Sequence, residues 1–517
     1  MITCLKRYKS YCSGTHLLFW VTSIHLFVFI LSISVKKPND FYFCRMIELN
    51  SEEEVILKKI SEAADELNME ARVIGGFVRD KILHRGDKDL DIVCVGDGIA
   101  LADKVAGKFD PVPHVSFFKN FGTAQVKVKS EDGSLYEIEF VGARQESYHP
   151  ASRKPEVKPA GFDEDIMRRD FTVNTLSVNL KKDDFGNLID PLNGLNDLRN
   201  KILKTPLPPD QTFIDDPLRM MRAIRFATQL SFDIEEETWN AIKRNATRIK
   251  IISMERVIDE INKMVLSQKP SRGFKLMFDS GLLDIIFPQM TALAGTENID
   301  GKGHKDNFYH TLEVLDNISE NTDDIWLRWA AILHDIAKPV TKKFEKGTGW
   351  TFHGHEVVGG RMVPKIFTQL KLPLNENMRF VKKMVELHLR PISLTKDNIT
   401  DSAIRRLLFD AGDDIDKLMT LCKADITTKN KSKAQRYLAN FELVEQRLKE
   451  VEEADQLRNW QPPITGEIIM KEFDLRPSRE VGLIKDAVRE AILDGIIPNK
   501  FDEAFEYMKK VAGEILK

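Results

Sequence analysis

The apolar spacing of this chain changes period once, at the proline-rich stretch TPLPPD, residues 205 to 210. N-terminal to it, the runs RVI, DIVCV, TAQVKVK and LYEIEFVGA are either continuously apolar or alternate with period two, the signature of strands. C-terminal to it, PLRMMRAIRFATQL, SMERVIDEINKMVL and DIWLRWAAILHDIAK repeat apolar residues every three to four positions, which is helix spacing. A chain written this way segregates a small sheet from a helical body, so the expected class is α+β. Its 517 residues exceed what one core serves and call for two to four domains.

The expected boundaries follow from breaks in the pattern. A mixed head spans 46–190 and a helical neck 191–296. The loop ENIDGKGHKDN (297–307) opens a second helical body over 297–440, and a tail spans 441–517 with a polar break at NWQPPITGE (459–467). Residues 1–45 form a hydrophobic leader. Its stretch LLFWVTSIHLFVFILSISV (17–35) approaches the ~20 residues that span a bilayer. No small-residue cleavage site follows it, and lysines flank both sides. The reading preferred is a non-native leader with the native start at Met46; a membrane anchor is the alternative.

Three of five cysteines (Cys4, Cys12, Cys44) lie in that leader, and Cys94 and Cys422 have no zinc spacing. Reduced thiols and a cytoplasmic location are therefore expected, with no membrane association. The formal net charge of −3 excludes bulk attraction to nucleic acid, so any such binding must come from local basic surface.

Within the head, GGFVRDKILHRGDKDLD (75–91) sets two glycines between a strand and a helix beginning near Phe77. Backbone N–H groups there can receive phosphate oxygens, and Arg79 adds a fixed charge one turn in. Asp89 and Asp91 precede the apolar run Ile92–Val95 and project to one face of its strand. Such a pair is either a solvated turn, in which Asp87 also belongs, or one half of a Mg²⁺ site completed by substrate phosphates. Downstream lie RRDFTVN (168–174) and DDPLRMMR (215–222), with Pro217 at a helix start and Arg219, Arg222 and Arg225 in one row. The bland counterpart of that row is an amphipathic helix with a solvated basic stripe.

GGFVRD, DLD, RRDFTVNTL and DDPLRMMRAIRFATQLSF in this order resemble the class II tRNA nucleotidyltransferase and bacterial poly(A) polymerase family, over about residues 70–265. The resemblance implies a polymerase-β-like head in which Asp89 and Asp91 bind Mg²⁺. It implies nucleotide contacts by Gly75, Gly76, Arg79, Arg169, Arg219 and Arg222, and a pair, Asp216 and Arg219, offering hydrogen bonds to the edges of C and A without a template. Two departures are mild: Asp215-Asp216 replaces the usual Glu-Asp, and Asn174-Thr175-Leu176 the usual Asn-Ala-Leu. Glu139, on LYEIEFV, is a candidate third carboxylate or the exposed face of an edge strand. The stretch 146–165, with Arg153, Lys154 and Lys158, reads as a loop near the site.

The second constellation is richer in imidazole. His310, adjacent His334 and Asp335, His353, His355, His388 and Asp425 fall in one helical domain. With His304 that body holds six of the 11 histidines, five of them in this set. They resemble the HD phosphohydrolase superfamily. That implies His310, His334, Asp335 and Asp425 as ligands of a divalent transition metal or Mg²⁺, with His355 and His388 around a second metal or the phosphate.

The function these resemblances imply is CCA addition or repair at tRNA 3′ ends from CTP and ATP, with HD phosphohydrolase action on RNA 3′ ends. DNA is not an expected partner. Alternatives are a poly(A) polymerase, a CC- or A-adding specialist, and an HD phosphohydrolase whose head only binds RNA.

Overall fold

The computed structural model describes residues 47–86, 88–118, 122–130, 133–147, 156–299, 301–394, 400–455 and 462–516. The leader, Asp87, the hairpin tip at Glu131 and Asp132, and Arg153 and Lys154 lie outside the described residues. The described chain divides into two compact units, the first ending at Asn200 and the second beginning at Lys201.

The first unit opens with a helix, Ser51–Glu66. The Asn50 side chain accepts from the Glu53 amide and the Glu53 carboxylate accepts from the Asn50 amide, satisfying two donors that the helix start leaves orphaned. Its apolar face, with Ile56, Leu57 and Ile60, is buried. The strands are β1 (Glu70–Ile74), β2 (Asp89–Val95), β3 (Val115–Phe118), β4 (Thr123–Lys129), β5 (Leu135–Gly142), β6 (Arg144–Ser147), β7 (Glu156–Pro159), β8 (Ser177–Asn179) and β9 (Leu188–Ile189). Seven of them form a mixed sheet in the order β3-β4-β5-β2-β1-β8-β9, and β6 pairs with β7 apart from it. β2 is central, antiparallel to β1 and parallel to β5. Its Leu90, Ile92 and Val93 are buried, which is why this run could not be a solvated turn throughout. The hairpin expected from TAQVKVK and LYEIEFVG is β4–β5. Residues 191–200 pack with the head: Asp190 accepts from the amides of Gly194 and Leu195 at the start of a helix, Gly194–Asn200, and Thr172 Oγ1 donates to Asp197 at 2.6 Å.

The second unit is helical, as the period change predicts, with an exception. Short ladders interrupt it: Ile202–Leu203 with Asp233–Ile234, Asn298–Ile299 with Lys302–Gly303, and Lys343–Glu345 with Gly349–Thr351. Strands of two or three residues are too short to write a period-two pattern, so the sequence hides them. The basic row on Leu218–Leu230 is not a solvated stripe. Arg219 and Arg225 are buried, and Arg225 Nε donates to Glu260 at 2.5 Å on the helix Met254–Val265, with its guanidinium 3.9 Å from the Phe226 ring.

Arg328, 1% exposed on the helix Ile325–Leu333, donates to the carbonyls of Val265, Ser267, Thr322 and Ser319. It thereby satisfies carbonyls that the end of Met254–Val265 leaves without intrahelical partners. The tail has a core of its own around Ile469, Ile484, Val488 and Met508. Among the described residues, no helix is long and apolar enough to cross a membrane.

Candidate active sites

In the head, the register of β2 and β5 sets Asp89 opposite Glu137 and Asp91 opposite Glu139. Four carboxylates thus stand on one face while their neighbours Leu90, Ile92, Ile138 and Phe140 fill the core behind. Glu137 is matched by Lys127 Nζ at 2.5 Å and Gln125 Nε2 at 3.2 Å. Glu139 has no ionic partner among the described residues. On its other side Asp91 is paired with Ile74, the last residue of β1 before the glycine turn.

That turn needs glycine. Gly75 has φ +87°, and a Cβ there would meet Asp91 Oδ2 at 3.2 Å and Arg169 Nη1 at 3.7 Å. The turn, the carboxylate and the guanidinium meet at one point. Gly76 begins the helix Gly76–Ile82.

Arg169 is aimed by Asp165, which is fully buried. Asp165 Oδ2 accepts from Arg169 Nε and Nη2 at 3.2 and 3.0 Å, while Oδ1 accepts from Arg168 at 2.5 Å. The remaining nitrogen, Nη1, is the one beside Gly75.

Arg79 takes a different place from the phosphate cradle expected of it. It is 6% exposed, chelates Asp80 at 3.0 and 2.6 Å, and donates through Nη1 to Asn174 Oδ1 at 2.7 Å. Asn174 in turn donates to Asp170, which also accepts the Phe171 amide. The GGFVRD and RRDFTVN motifs are therefore locked together by a buried Asp80–Arg79–Asn174–Asp170 chain.

In the neck, Asp216 Oδ1 accepts the Leu218 amide at 3.1 Å and its Oδ2 lies 3.6 Å from Arg256. Asp215 accepts from Gln211 at 2.6 Å. Arg219 follows on the same turn, and half-buried Arg222 lies 5.4 Å from the Phe226 ring.

Six of the seven residues of the histidine constellation converge. His310 comes from the helix Asn307–Ser319, His334 and Asp335 from the end of Ile325–Leu333, and His355 from the start of His355–Leu370. His388 and Asp425 close the helices Glu376–Leu387 and Ile415–Ala424. His310, His334 and Asp425 form one set and Asp335, His355 and His388 another; within each, the ligand atoms all lie within 4.8 Å.

Asp335 faces both sets. Its Oδ2 lies 3.2 Å from His334 Nε2 and 3.5 Å from His310 Nε2, and its Oδ1 lies 3.2 Å from His355 Nε2 and 4.0 Å from His388 Nε2. His353 is exposed and stands outside this arrangement.

Three of the imidazoles are oriented identically. Nδ1 of His334, His355 and His388 bonds the carbonyl three residues back, of Ala331, Phe352 and Val385, at 2.7 to 2.8 Å. A carbonyl only accepts, so Nδ1 carries a proton and Nε2 is the nitrogen turned to the cluster, the one a metal would take. Those three Nε2 atoms are buried without a hydrogen-bond partner. Buried polar atoms in a native fold are normally satisfied, and imidazole nitrogens left without a partner and converging on carboxylates fit divalent metal.

The electrostatics agree. Burial works against a charged His334, but the carboxylates of Asp335 and Asp425 overcome it and push its pKa up to about 9. Burial likewise opposes the charged form of Asp335, which is nonetheless held well below the usual carboxylate range by His334, His355 and Lys338. Burial, reinforced by the His334 charge, pushes His388 down to about 4. A pocket that retains a proton between two carboxylates is a pocket built for positive charge.

The sequence reading missed Asp165, Asp80 and Asn174 in the head, and Lys338 and Thr427 in the HD domain. The i, i+3, i+4 spacing of Asp165 with Arg168 and Arg169 was a usable signal, as was the i, i+3 spacing of Asp335 and Lys338. Thr427 left none.

Fold and sites define a nucleotidyltransferase head followed in the chain by an HD domain. The poly A polymerase head domain family matches residues 71–204, the family described as the probable RNA and SrmB-binding site of polymerase A matches 231–293, and the HD domain family matches 307–429. The A-adding tRNA nucleotidyltransferase of Deinococcus radiodurans is 31% identical over 346 residues, 64% of this chain and 76% of that protein. The multifunctional CCA protein of Pseudoalteromonas atlantica is 31% identical over 334 residues, 62% of this chain and 75% of that one. Among solved structures, a CCA-adding enzyme in complex with ATP shares the fold with a TM-score of 0.58 at 18% identity, covering 91% of this chain and 99% of that one. The chain belongs to the tRNA nucleotidyltransferase and poly(A) polymerase family, and it is a nucleotidyltransferase carrying an HD domain.

Proposed function

We propose that this protein builds or repairs the 3′-terminal CCA of tRNA from CTP and ATP without a nucleic-acid template. The observation that carries the reading is the meeting of the Gly75 turn, Asp91 and Arg169, because phosphate cradle, metal carboxylate and cation are the parts nucleotidyl transfer needs. Asp89 and Asp91 would hold Mg²⁺, with Glu139 the adjacent carboxylate. Bound there, the ion lowers the pKa of an RNA 3′-hydroxyl and neutralises charge at the α-phosphate. The glycine turn and Arg169 receive the triphosphate, and Asp216, Arg219 and Arg222 read the base. Arg79 acts by holding both phosphate-binding motifs in place.

In the HD domain, His310, His334 and Asp425 as one set and Asp335, His355 and His388 as the other would hold two divalent ions, with Asp335 facing both sets. The chemistry of such a centre is hydrolysis of phosphate esters, and its proposed substrate is RNA bearing a 2′,3′-cyclic or 3′-phosphate, whose removal frees the hydroxyl the head uses. The working division is head 46–200, extended from 190 because residues 191–200 pack with it, neck 201–296, HD domain 297–440 and tail 441–517, in a cytoplasmic protein.

The test is addition to tRNA lacking CCA and to tRNA ending in CC, with CTP alone, ATP alone or both. Completion of CCA on both substrates is expected, and long poly(A) products reject the reading. The Deinococcus relative supports a second reading, an A-adding specialist, which would extend only the tRNA that already ends in CC.

A further inference from the structure

Of the four histidines in the HD centre, one is oriented differently. His310 Nδ1 has no carbonyl partner; it lies 3.0 Å from the hydroxyl of Thr427, two residues beyond Asp425. Thr427 is 9% exposed, and its oxygen also receives Lys305 Nζ at 3.5 Å.

A carbonyl can only accept, but a hydroxyl can donate or accept. His310 Nε2 lies 2.9 Å from Asp425 Oδ1, so Nε2 is the nitrogen turned to the cluster and Nδ1 the one turned to the hydroxyl. Coordination through Nε2 leaves a proton on Nδ1, which would donate to Thr427 as the other three rings donate to a carbonyl. Lys305 Nζ reaches the same oxygen, and a rotatable hydroxyl shared in this way fixes a ring less firmly than a backbone carbonyl.

We propose that Thr427 is a positioning residue for His310, a side-chain hydroxyl standing where the other three rings have a main-chain carbonyl, and that this makes the His310–His334–Asp425 position the weaker, exchangeable one of two metal positions. The Asp335–His355–His388 position has both its imidazoles fixed by the carbonyls of Phe352 and Val385. The inference rests on the dinuclear reading of the HD centre given above.

The test is titration of the purified full chain with Co²⁺, followed by the visible absorption of imidazole-ligated cobalt. Wild type should bind in two steps. Thr427→Val, nearly isosteric, should weaken the second step by about 10- to 100-fold, the usual scale for a lost outer partner of a ligand, and leave the first unchanged. Thr427→Ser, which keeps the hydroxyl, should restore two wild-type steps; thermal unfolding of both variants reports whether they fold. A Thr427→Val protein that folds and binds like wild type, or loses both steps equally, overturns the proposal. A wild type with one step overturns the pairing of unequal positions, and one with no imidazole-ligated cobalt rejects the metal reading beneath it.

Discussion

The two candidate sites solve the problem of crowded carboxylates in opposite ways. In the head, Asp89, Asp91 and Glu139 stand on the open face of a sheet, aligned by strand register, and the cations supporting them are anchored behind by buried partners such as Asp165. In the HD domain the carboxylates are buried, and the imidazoles that face them are aimed by main-chain carbonyls. An open site leaves coordination positions for substrate phosphates, whereas a site crowded with side-chain donors holds its metal before substrate arrives. On the proposed reading, the difference would let one chain take one ion in with its nucleotide and keep another as a fixture.

The strongest way to break the comparison is to remove one carboxylate from each site. Asp91→Ala should lower nucleotide incorporation by at least about a thousandfold while cobalt binding at the HD centre persists. Asp335→Ala should do the reverse, abolishing cobalt binding and sparing CCA addition. Loss of both functions in either variant would show that the sites are not separate.

Next in size is Arg79→Ala, which strands Asp80 and Asn174 in the interior. It should cost about 3–5 kcal/mol in chemical denaturation, the scale of breaking a buried ion pair from one side. Arg79→Lys should recover little, since a single ammonium cannot chelate Asp80 and reach Asn174 together. Full activity and stability in Arg79→Ala would show that the buried Asp80–Arg79–Asn174–Asp170 chain contributes to neither.

A smaller effect is expected from Glu139→Gln, about a tenfold fall in incorporation rate if the carboxylate joins the metal pair, because charge beside the reacting phosphate is diluted rather than lost. An unchanged rate would leave Asp89 and Asp91 as the complete set.

The smallest signal is a proton. With the pKa of His334 raised to about 9, the metal-free HD centre holds a proton at neutral pH that coordination must displace. Calorimetry in buffers of different ionisation enthalpy should show close to one proton released from this group per centre filled at pH 7, falling away as pH rises through about 9. By the same linkage, the metal-free fold carries stability from His334 that is fully present below its unfolded pKa near 6.5 and lost as pH rises through 9. Proton release that does not change across that interval would remove His334 from the account.

The sequence disclosed local things and concealed distant ones. The Gly75 turn, Asp89 with Asp91, and the six residues that converge in the HD domain were readable because each is a short pattern of chemically unusual residues. The sheet was readable in outline from β2, β4 and β5, whose alternation is long enough to register. The destination of Arg79 was not, because its partner Asn174 lies 95 positions away, and Arg225 looked solvated because Glu260 lies 35 away. The ladder Lys343–Glu345 with Gly349–Thr351 precedes Phe352, whose carbonyl orients His355, yet three-residue strands carry no periodic signal. Thr427 is an ordinary threonine until His310 is folded against it.

Arg328 bears on how this protein can be taken apart. Family boundaries suggest a cut between neck and HD domain, but the guanidinium that completes the neck helix Met254–Val265 is supplied from Ile325–Leu333, beyond that cut. A truncation ending near residue 296 would leave the carbonyls of Val265 and Ser267 without their donor. Dissection therefore has a natural seam elsewhere, and a shortened nucleotidyltransferase made from this chain should keep the helix that carries Arg328.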